Sequence, residues 1–182
     1  MLSEAPLDLS EPVIYVDGGS KHKKGSLGIT VGDGDSSSHA IDIKLNNKKD
    51  FSDLSYVLNH ILDEVTEVNM HGFLGGRRDH ELINYAEAHQ FLKQRKIKAK
   101  VNFEEKVLAF SKGSWVAEIN GVFSVFMFEQ GQVSISGECD YKTQNLTALS
   151  SHGLSNVGSG EVLIESDVPI FIFLDLKDEM KL

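Results

Sequence analysis

The sequence predicts an α/β N-terminal domain with a mainly parallel sheet over residues 1–98, followed by an all-β antiparallel sandwich over 99–182. Three observations predict it. From Val13 to about Arg95, short apolar runs alternate with stretches of helical period, the order of a parallel sheet with helices on its faces. Beyond Val101 the helical period disappears and short β-rich runs follow one another. Gly113, Gly121, Gly131, Gly137 and Gly153 sit in or near the turns between those runs.

The N-terminal elements are justified in turn. Val13–Val16 is an apolar run that ends in Asp17-Gly18-Gly19, a buried strand entering a tight loop. Leu27–Val31 is a second, ending at Gly32-Asp33. Ala40–Leu45 alternates, with Ile41, Ile43 and Leu45 on one face. Ser52 is an N-cap residue type ahead of Leu54, Val57, Leu58, Ile61, Leu62 and Val65, which recur at helical spacing. Val68–Phe73 is the next strand and delivers Gly75-Gly76; a second helix runs from Asp79 to about Arg95. Ligands of such Rossmann-like sheets bind outside the carboxyl ends of the strands, where Asp17, Asp33 and Gly75 fall.

The C-terminal strands are expected at Val107–Phe110, Trp115–Ile119, Val122–Phe128, Val133–Ile135, Glu161–Glu165 and Val168–Leu174. Trp115 is expected to pack in their core. The basic stretch Lys93–Lys100 is expected to be a solvated helix end and linker rather than a phosphate patch.

Composition narrows the function classes. Net charge is −9 over 182 residues, with 12 basic and 15 acidic side chains before residue 99 and 6 and 12 after it. Neither half offers the basic face that nucleic acid requires. Cys139 is the only cysteine, so there is no intrachain disulfide and no thiolate zinc cluster. Met1–Glu4 lacks the features of a signal peptide, and the longest apolar run, Val168–Leu174, is too short to span a bilayer. A cytoplasmic location with no membrane partner is expected.

The chemistry-bearing residues are carboxylates set beside glycines: Asp17-Gly18-Gly19, Gly32-Asp33-Gly34-Asp35-Ser36, Lys49-Asp50-Phe51-Ser52-Asp53 and Gly75-Gly76-Arg77-Arg78-Asp79-His80. Crowded carboxylates repel unless a cation joins them or some stay protonated. Glycine lets a backbone approach a phosphate closely. Mg²⁺ favours one or two carboxylates with phosphate oxygens and waters. Arg77 carries a guanidinium fork suited to phosphate. An EF-hand is excluded because the twelfth position from Asp33 is Lys44. A Walker-type loop is absent, and a phosphatase with Asp33 as nucleophile would not explain Gly75-Gly76-Arg77.

These motifs, in this order, resemble the thiamine pyrophosphokinase family. That family carries Asp-Gly-Gly, Gly-Asp-x-Asp-Ser, Lys-Asp-x-Thr-Asp and Gly-Gly-Arg-x-Asp-His/Gln segments, then Gly-x-Ser-Asn in a C-terminal sandwich. Here the last stands as Gly153-Leu154-Ser155-Asn156. The departures are Gly34 in place of an aromatic, Ser52 in place of Thr, and Ser20-Lys21 in place of Ala-Asn.

The resemblance implies an enzyme that moves pyrophosphate from ATP to the hydroxyl of thiamine with Mg²⁺, leaving AMP. It implies that Asp33, Asp35 and Asp53 hold the metal. Asp17, Gly18, Gly19, Asp50, Ser52, Arg77, Asp79 and His80 would lie toward ATP. Ser155 and Asn156 would meet thiamine near the interface of a homodimer. Asp53, Asp35 and Arg77 would be catalytic, with Asp53 orienting the attacking hydroxyl and taking its proton. Twelve residues precede Val13, where the family has a strand and a polar loop. That motivates an alternative, a thiamine- or nucleotide-binding protein of the same fold without turnover. Another is a pyrophosphokinase for a different hydroxymethyl heterocycle, such as a pterin.

Overall fold

The computed structural model describes residues 12–23, 25, 27–35 and 40–175. Contacts divide the chain into two compact units. One runs to Leu62 and includes His71–Glu87; the other contains Asp63–Met70 and continues from Ala88.

The first unit holds a three-stranded sheet, β1 (Ile14–Val16), β2 (Ile29–Gly32) and β3 (Ile43–Lys44), in that order. Both pairings are parallel, with Val16 opposite Val31 and Val31 opposite Ile43. A 3₁₀ helix, Asp17–His22, starts the return from β1 to β2. Helix α1 (Asp53–Asn59) buries Leu54, Val57 and Leu58, the inward stripe of its apolar pattern. Tyr15 and Val31 of the strands are buried as well. Helix α2 (Arg78–Gln94) begins in this unit and continues into the next.

α1 is shorter than its apolar spacing predicts. It stops at Asn59, although Ile61, Leu62 and Val65 continue the period. The buried Arg95 accounts for part of this, because its Nη2 donates to the carbonyls of Asp63 (2.6 Å) and Val65 (2.8 Å). The guanidinium fixes this segment in a non-helical path.

The second unit carries one seven-stranded mixed sheet. Its strands are β4 (Glu67–Met70), β5 (Lys100–Phe103), β6 (Val107–Phe110), β7 (Gly113–Phe126), β8 (Val133–Cys139), β9 (Asn156–Ser166) and β10 (Ile170–Leu174). They lie in the order β4-β5-β6-β10-β7-β9-β8. Only β4 and β5 are parallel, joined through α2 as a parallel pair requires. The strand expected to deliver Gly75 from the N-terminal sheet is therefore hydrogen-bonded into the larger one. The residues expected to form two separate runs, Trp115–Ile119 and Val122–Phe128, give one long strand, β7. Gly121 does not break it: at φ 132° it takes a backbone shape that side chains disfavour and stays paired with Gly158.

Phe123, Val125, Met127, Val133, Ile135, Val162, Ile164, Ile170 and Ile172 form the apolar core of this sheet. Trp115 packs against it, its ring 4.7 Å from Phe110 and its Nε1 donating to the Ser111 carbonyl at 2.8 Å. The basic stretch has structural uses throughout. Arg95 is buried, Lys98 lies over the Trp115 ring, and Lys100 pairs with Glu67 at 3.0 Å. Among the described residues no helix is long and apolar enough to cross a membrane.

Candidate functional site

Three segments of the first unit bring carboxylates together. β1 ends at Asp17, which takes φ 47° as the chain turns into the 3₁₀ helix containing Gly18 and Gly19. β2 ends at Gly32 and hands the chain to Asp33. α1 opens with Asp53, one residue after its N-cap Ser52, whose Oγ accepts from the Ser55 N–H at 2.9 Å. Because β1 and β2 are parallel neighbours in register, their carboxyl ends emerge side by side. Asp17, Asp33 and Asp53 each offer a carboxylate oxygen, all within 4.8 Å of one another.

The absence of a side chain at Gly32 makes the convergence possible. A Cβ there would lie 3.0 Å from the Asp17 Cα and 3.2 Å from Asp53 Oδ2. Asp33 is steadied by the Asp35 backbone N–H, which donates to its Oδ1 at 3.2 Å. Asp35 itself lies outside the trio of converging carboxylates, and Ser36 lies outside the described residues.

Lys49, which opens the Lys49–Asp53 motif, has no role predicted from the sequence. Its ammonium sits 2.9 Å from Asp53 Oδ1 and 3.2 Å from Asp33 Oδ2. Its spacing of four residues from Asp53 was the signal that could have found it. The Asp35 N–H and this ammonium hold the Asp33 carboxyl below the ordinary carboxylate range. Asp17 behaves in the opposite way. Burial pushes its carboxyl up, and the charges of Asp53, Asp35 and Asp33 add to the shift, against the Gly18 N–H. Its Oδ1 is buried with no hydrogen-bond partner among the described residues. Three converging carboxylates, with buried oxygens on Asp17 and Asp53 that no hydrogen bond meets among the described residues, the second of them ion-paired with Lys49, suit a hard divalent cation.

The remaining predicted residues of this unit are more exposed. Arg77 pairs with Asp79 through Nε (3.2 Å) and Nη2 (2.5 Å), and this guanidinium draws the Asp79 carboxyl down to about 2. The Gly75 N–H donates to Glu81 Oε2 at 3.1 Å, tying the glycine loop to the first turn of α2. His80 lies in that turn and is exposed, as is Asp50 ahead of α1.

Ser155 and Asn156 lie in the second unit, on a cleft of about 470 Å³ that Tyr141, Lys142, Thr143 and His152 also line. Ser155 is exposed at φ 57°, with its N–H donating to Ser124 Oγ. Asn156 is buried and its amide is occupied. Oδ1 accepts from the N–H groups of Tyr141 (2.9 Å) and Val157 (2.8 Å), and Nδ2 donates to the Tyr141 carbonyl (2.8 Å). Asn156 thus holds the backbone of Tyr141 from both sides, and the Tyr141 residue itself is 68% exposed.

No family model matches the chain, and no curated protein matches it in sequence. Solved structures do. A thiamine pyrophosphokinase from Bacillus subtilis aligns with a TM-score of 0.70 at 22% identity, over 90% of this chain and 87% of that one. A thiamin pyrophosphokinase from Geobacillus thermodenitrificans aligns at 0.66 and 14% identity, over 94% and 90%. One from Candida albicans aligns at 0.65 and 13%, over 89% and 81%. At such identities the likeness shows the fold, and it is the fold the motifs imply.

Proposed function

We propose that this chain is a thiamine pyrophosphokinase-like transferase, moving a pyrophosphoryl group from ATP to the hydroxyl of thiamine. The observation that carries the reading is the convergence of Asp17, Asp33 and Asp53 within 4.8 Å, in a fold shared with thiamine pyrophosphokinases. In the reaction the hydroxyl oxygen bonds to the β-phosphorus, the bond from that phosphorus to the α–β bridging oxygen breaks, and AMP departs.

Asp17, Asp33 and Asp53 would hold Mg²⁺, which when bound neutralises charge on the phosphates. Asp35 is the outer carboxylate of the same loop and adds to its negative field. Asp53 accepts the hydroxyl proton. Arg77, exposed at the start of α2, offsets charge on the group in transit, with Asp79 orienting its fork. Gly18 and Gly19 leave the backbone bare for the nucleotide, and Asp50, Ser52 and His80 belong to the same segments. Positioning and charge neutralisation supply most of the catalysis in such transfers.

The acceptor takes the cleft at Ser155, which a molecule of thiamine's size fits. Leu154 lines that cleft and, like Leu149, is apolar and exposed, which supports a homodimer that covers this region.

The test is incubation with ATP, Mg²⁺ and thiamine. AMP and thiamine diphosphate in equal amounts are expected. Thiamine binding by calorimetry without AMP release would replace the reading with a binding protein, and AMP release only with a pterin alcohol would change the acceptor.

A further inference from the structure

The Lys49 ammonium bridges the two carboxylates that a divalent ion needs. Its side chain is only 10% exposed, between Asp33 at 15% and Asp53 at 11%. We propose that Lys49 is an exchangeable counter-cation: its ammonium and a divalent ion compete for Asp33 and Asp53, and the ion's arrival releases the ammonium to pair with the donor's phosphates. This rests on the metal-binding reading above and adds to it an occupant that must leave.

Three features of the site argue for exchange rather than a permanent ion pair. The first is stoichiometry. The ammonium lies on Asp33 and Asp53 but leaves Asp17 Oδ1 buried and without a partner among the described residues. One monovalent group serves two of three converging carboxylates, whereas a divalent ion of six or more oxygen ligands can serve all three.

The second is position. Lys49 lies just ahead of α1, where the helix dipole disfavours a cation and favours the carboxylate of Asp53. Helix stability therefore does not account for a lysine here. The third is repulsion. An ammonium and a divalent ion on the same two carboxylates would stand within a few ångströms of each other in a poorly solvated site. The lysine stem is long and flexible enough for its charge to move while the backbone stays in place. A released ammonium beside the metal would then be a point charge for phosphate oxygens. Metal binding would thus prepare the donor site, and the resting protein would be spared an uncompensated cluster of acids.

The test is Mn²⁺ binding, followed by the loss of the free-ion resonance signal at mildly alkaline pH. Wild type, Lys49→Met and Lys49→Arg are compared. Competition predicts that Lys49→Met binds Mn²⁺ about tenfold more tightly, since a repelling charge is removed, and that Lys49→Arg stays near wild type. A merely structural lysine would leave the affinity equal or weaken it in Lys49→Met, and either result overturns the proposal while the metal reading stands. If neither wild type nor Lys49→Met binds Mn²⁺ at millimolar concentration, the metal reading falls and this one with it.

Wild-type protein provides a second measurement should Lys49→Met fail to fold. Acetic anhydride labelling of Lys49, located by peptide mapping with Lys142 as the reference, should rise several-fold with Mg²⁺. It should fall again when ATP is added to the Mg²⁺ form. Labelling of Lys49 that is unchanged or lower with saturating Mg²⁺ overturns the exchange.

Discussion

Gly32 and Asp17 meet backbone to backbone, so closely that a Cβ on Gly32 would lie 3.0 Å from the Asp17 Cα. The contact follows from strand register. Val16 and Val31 are partners in a parallel pair, so Asp17, just past the end of β1, stands beside Gly32, the last residue of β2. The Gly32→Ala methyl would sit tight against the Asp17 backbone and Asp53 Oδ2, which must give by a few tenths of an ångström. Overpacking of this kind costs about 1–3 kcal/mol. A lower melting temperature is expected, with Mn²⁺ affinity reduced on the order of tenfold or more as the carboxylates separate. Unchanged metal affinity in a folded variant would show that the spacing of these acids does not matter.

Asn156 shapes the cleft proposed for the acceptor through the backbone of Tyr141. Asn156→Ala removes bonds to both backbone polar groups of Tyr141, which are part-buried, a loss of about 1 kcal/mol. Asn156→Asp is expected to be at least as harmful, because a carboxylate oxygen would replace Nδ2 against the Tyr141 carbonyl. Both should raise the KM for thiamine more than they lower kcat. Melting curves and steady-state kinetics separate the two effects.

His89 makes stability depend on pH. Burial holds its imidazole below the usual range, and the nearby Lys93 charge adds to this, while Glu129 at 3.3 Å from Nε2 opposes it. Between the lowered folded value and the unfolded value near 6.5, the unfolded chain binds a proton that the folded chain refuses. Stability therefore rises with pH through that window, is complete above it, and is lost as the pH falls. Urea unfolding followed across about pH 5 to 7 should show this slope, and His89→Gln should be flatter. Equal slopes would assign the dependence to other groups.

Local chemistry made much of this molecule legible in its sequence, and long-range pairing hid the rest. Ser52 caps α1 as its residue type predicts, and α2 spans Arg78–Gln94 where Asp79 to about Arg95 was expected. The ends of β1 and β2 carry Asp17 and Asp33 as the Asp-Gly punctuation suggests. The path after α1 is held in part by Arg95, far along the chain, and no window over Leu54–Val65 contains that information. β4 reads as a strand, but its partner is decided by the Val68–Val101 register. In the site, the motifs place Asp17 toward ATP, because one sequence cannot show how closely β1, β2 and α1 bring its carboxylate to Asp33 and Asp53. The amide of Asn156 is spent on Tyr141, which a Ser-Asn pair does not reveal.

Arg77 is expected to matter for the reaction and not for the fold. Its pairing with Asp79 is largely in solvent, where screening leaves an ion pair little influence on stability. Arg77→Gln should melt with the wild type. It should lose on the order of tenfold or more in kcat/KM for ATP, since a neutral amide cannot give the charge-assisted fork. Wild-type kinetics in this variant would remove Arg77 from the donor site.

The two loops make different claims on the metal, and substitution can rank them. Motif order favours Asp33, Asp35 and Asp53, whereas convergence within 4.8 Å joins Asp17 to Asp33 and Asp53. Asp35 acts on Asp33 chiefly through its backbone N–H, a contact that survives a side-chain change, with a smaller contribution from its side chain. Asp17 has a buried oxygen with no hydrogen-bond partner among the described residues, so removing its charge should strip the ion of a direct ligand. Asp17→Asn is therefore expected to weaken Mn²⁺ binding and to lower turnover by about 10²–10³, the scale of losing a direct electrostatic contact in a transfer reaction. Asp35→Asn should cost less in affinity, because the backbone bond that steadies Asp33 is kept. Asp17→Asn should also raise thermal stability without metal, since it relieves the cost of partly burying this carboxylate and the repulsion that Asp53, Asp35 and Asp33 add. If Asp35→Asn abolishes Mn²⁺ binding while Asp17→Asn retains it, the ligand set is the one the motifs name, and Asp17 is a neighbour of the metal and not its ligand.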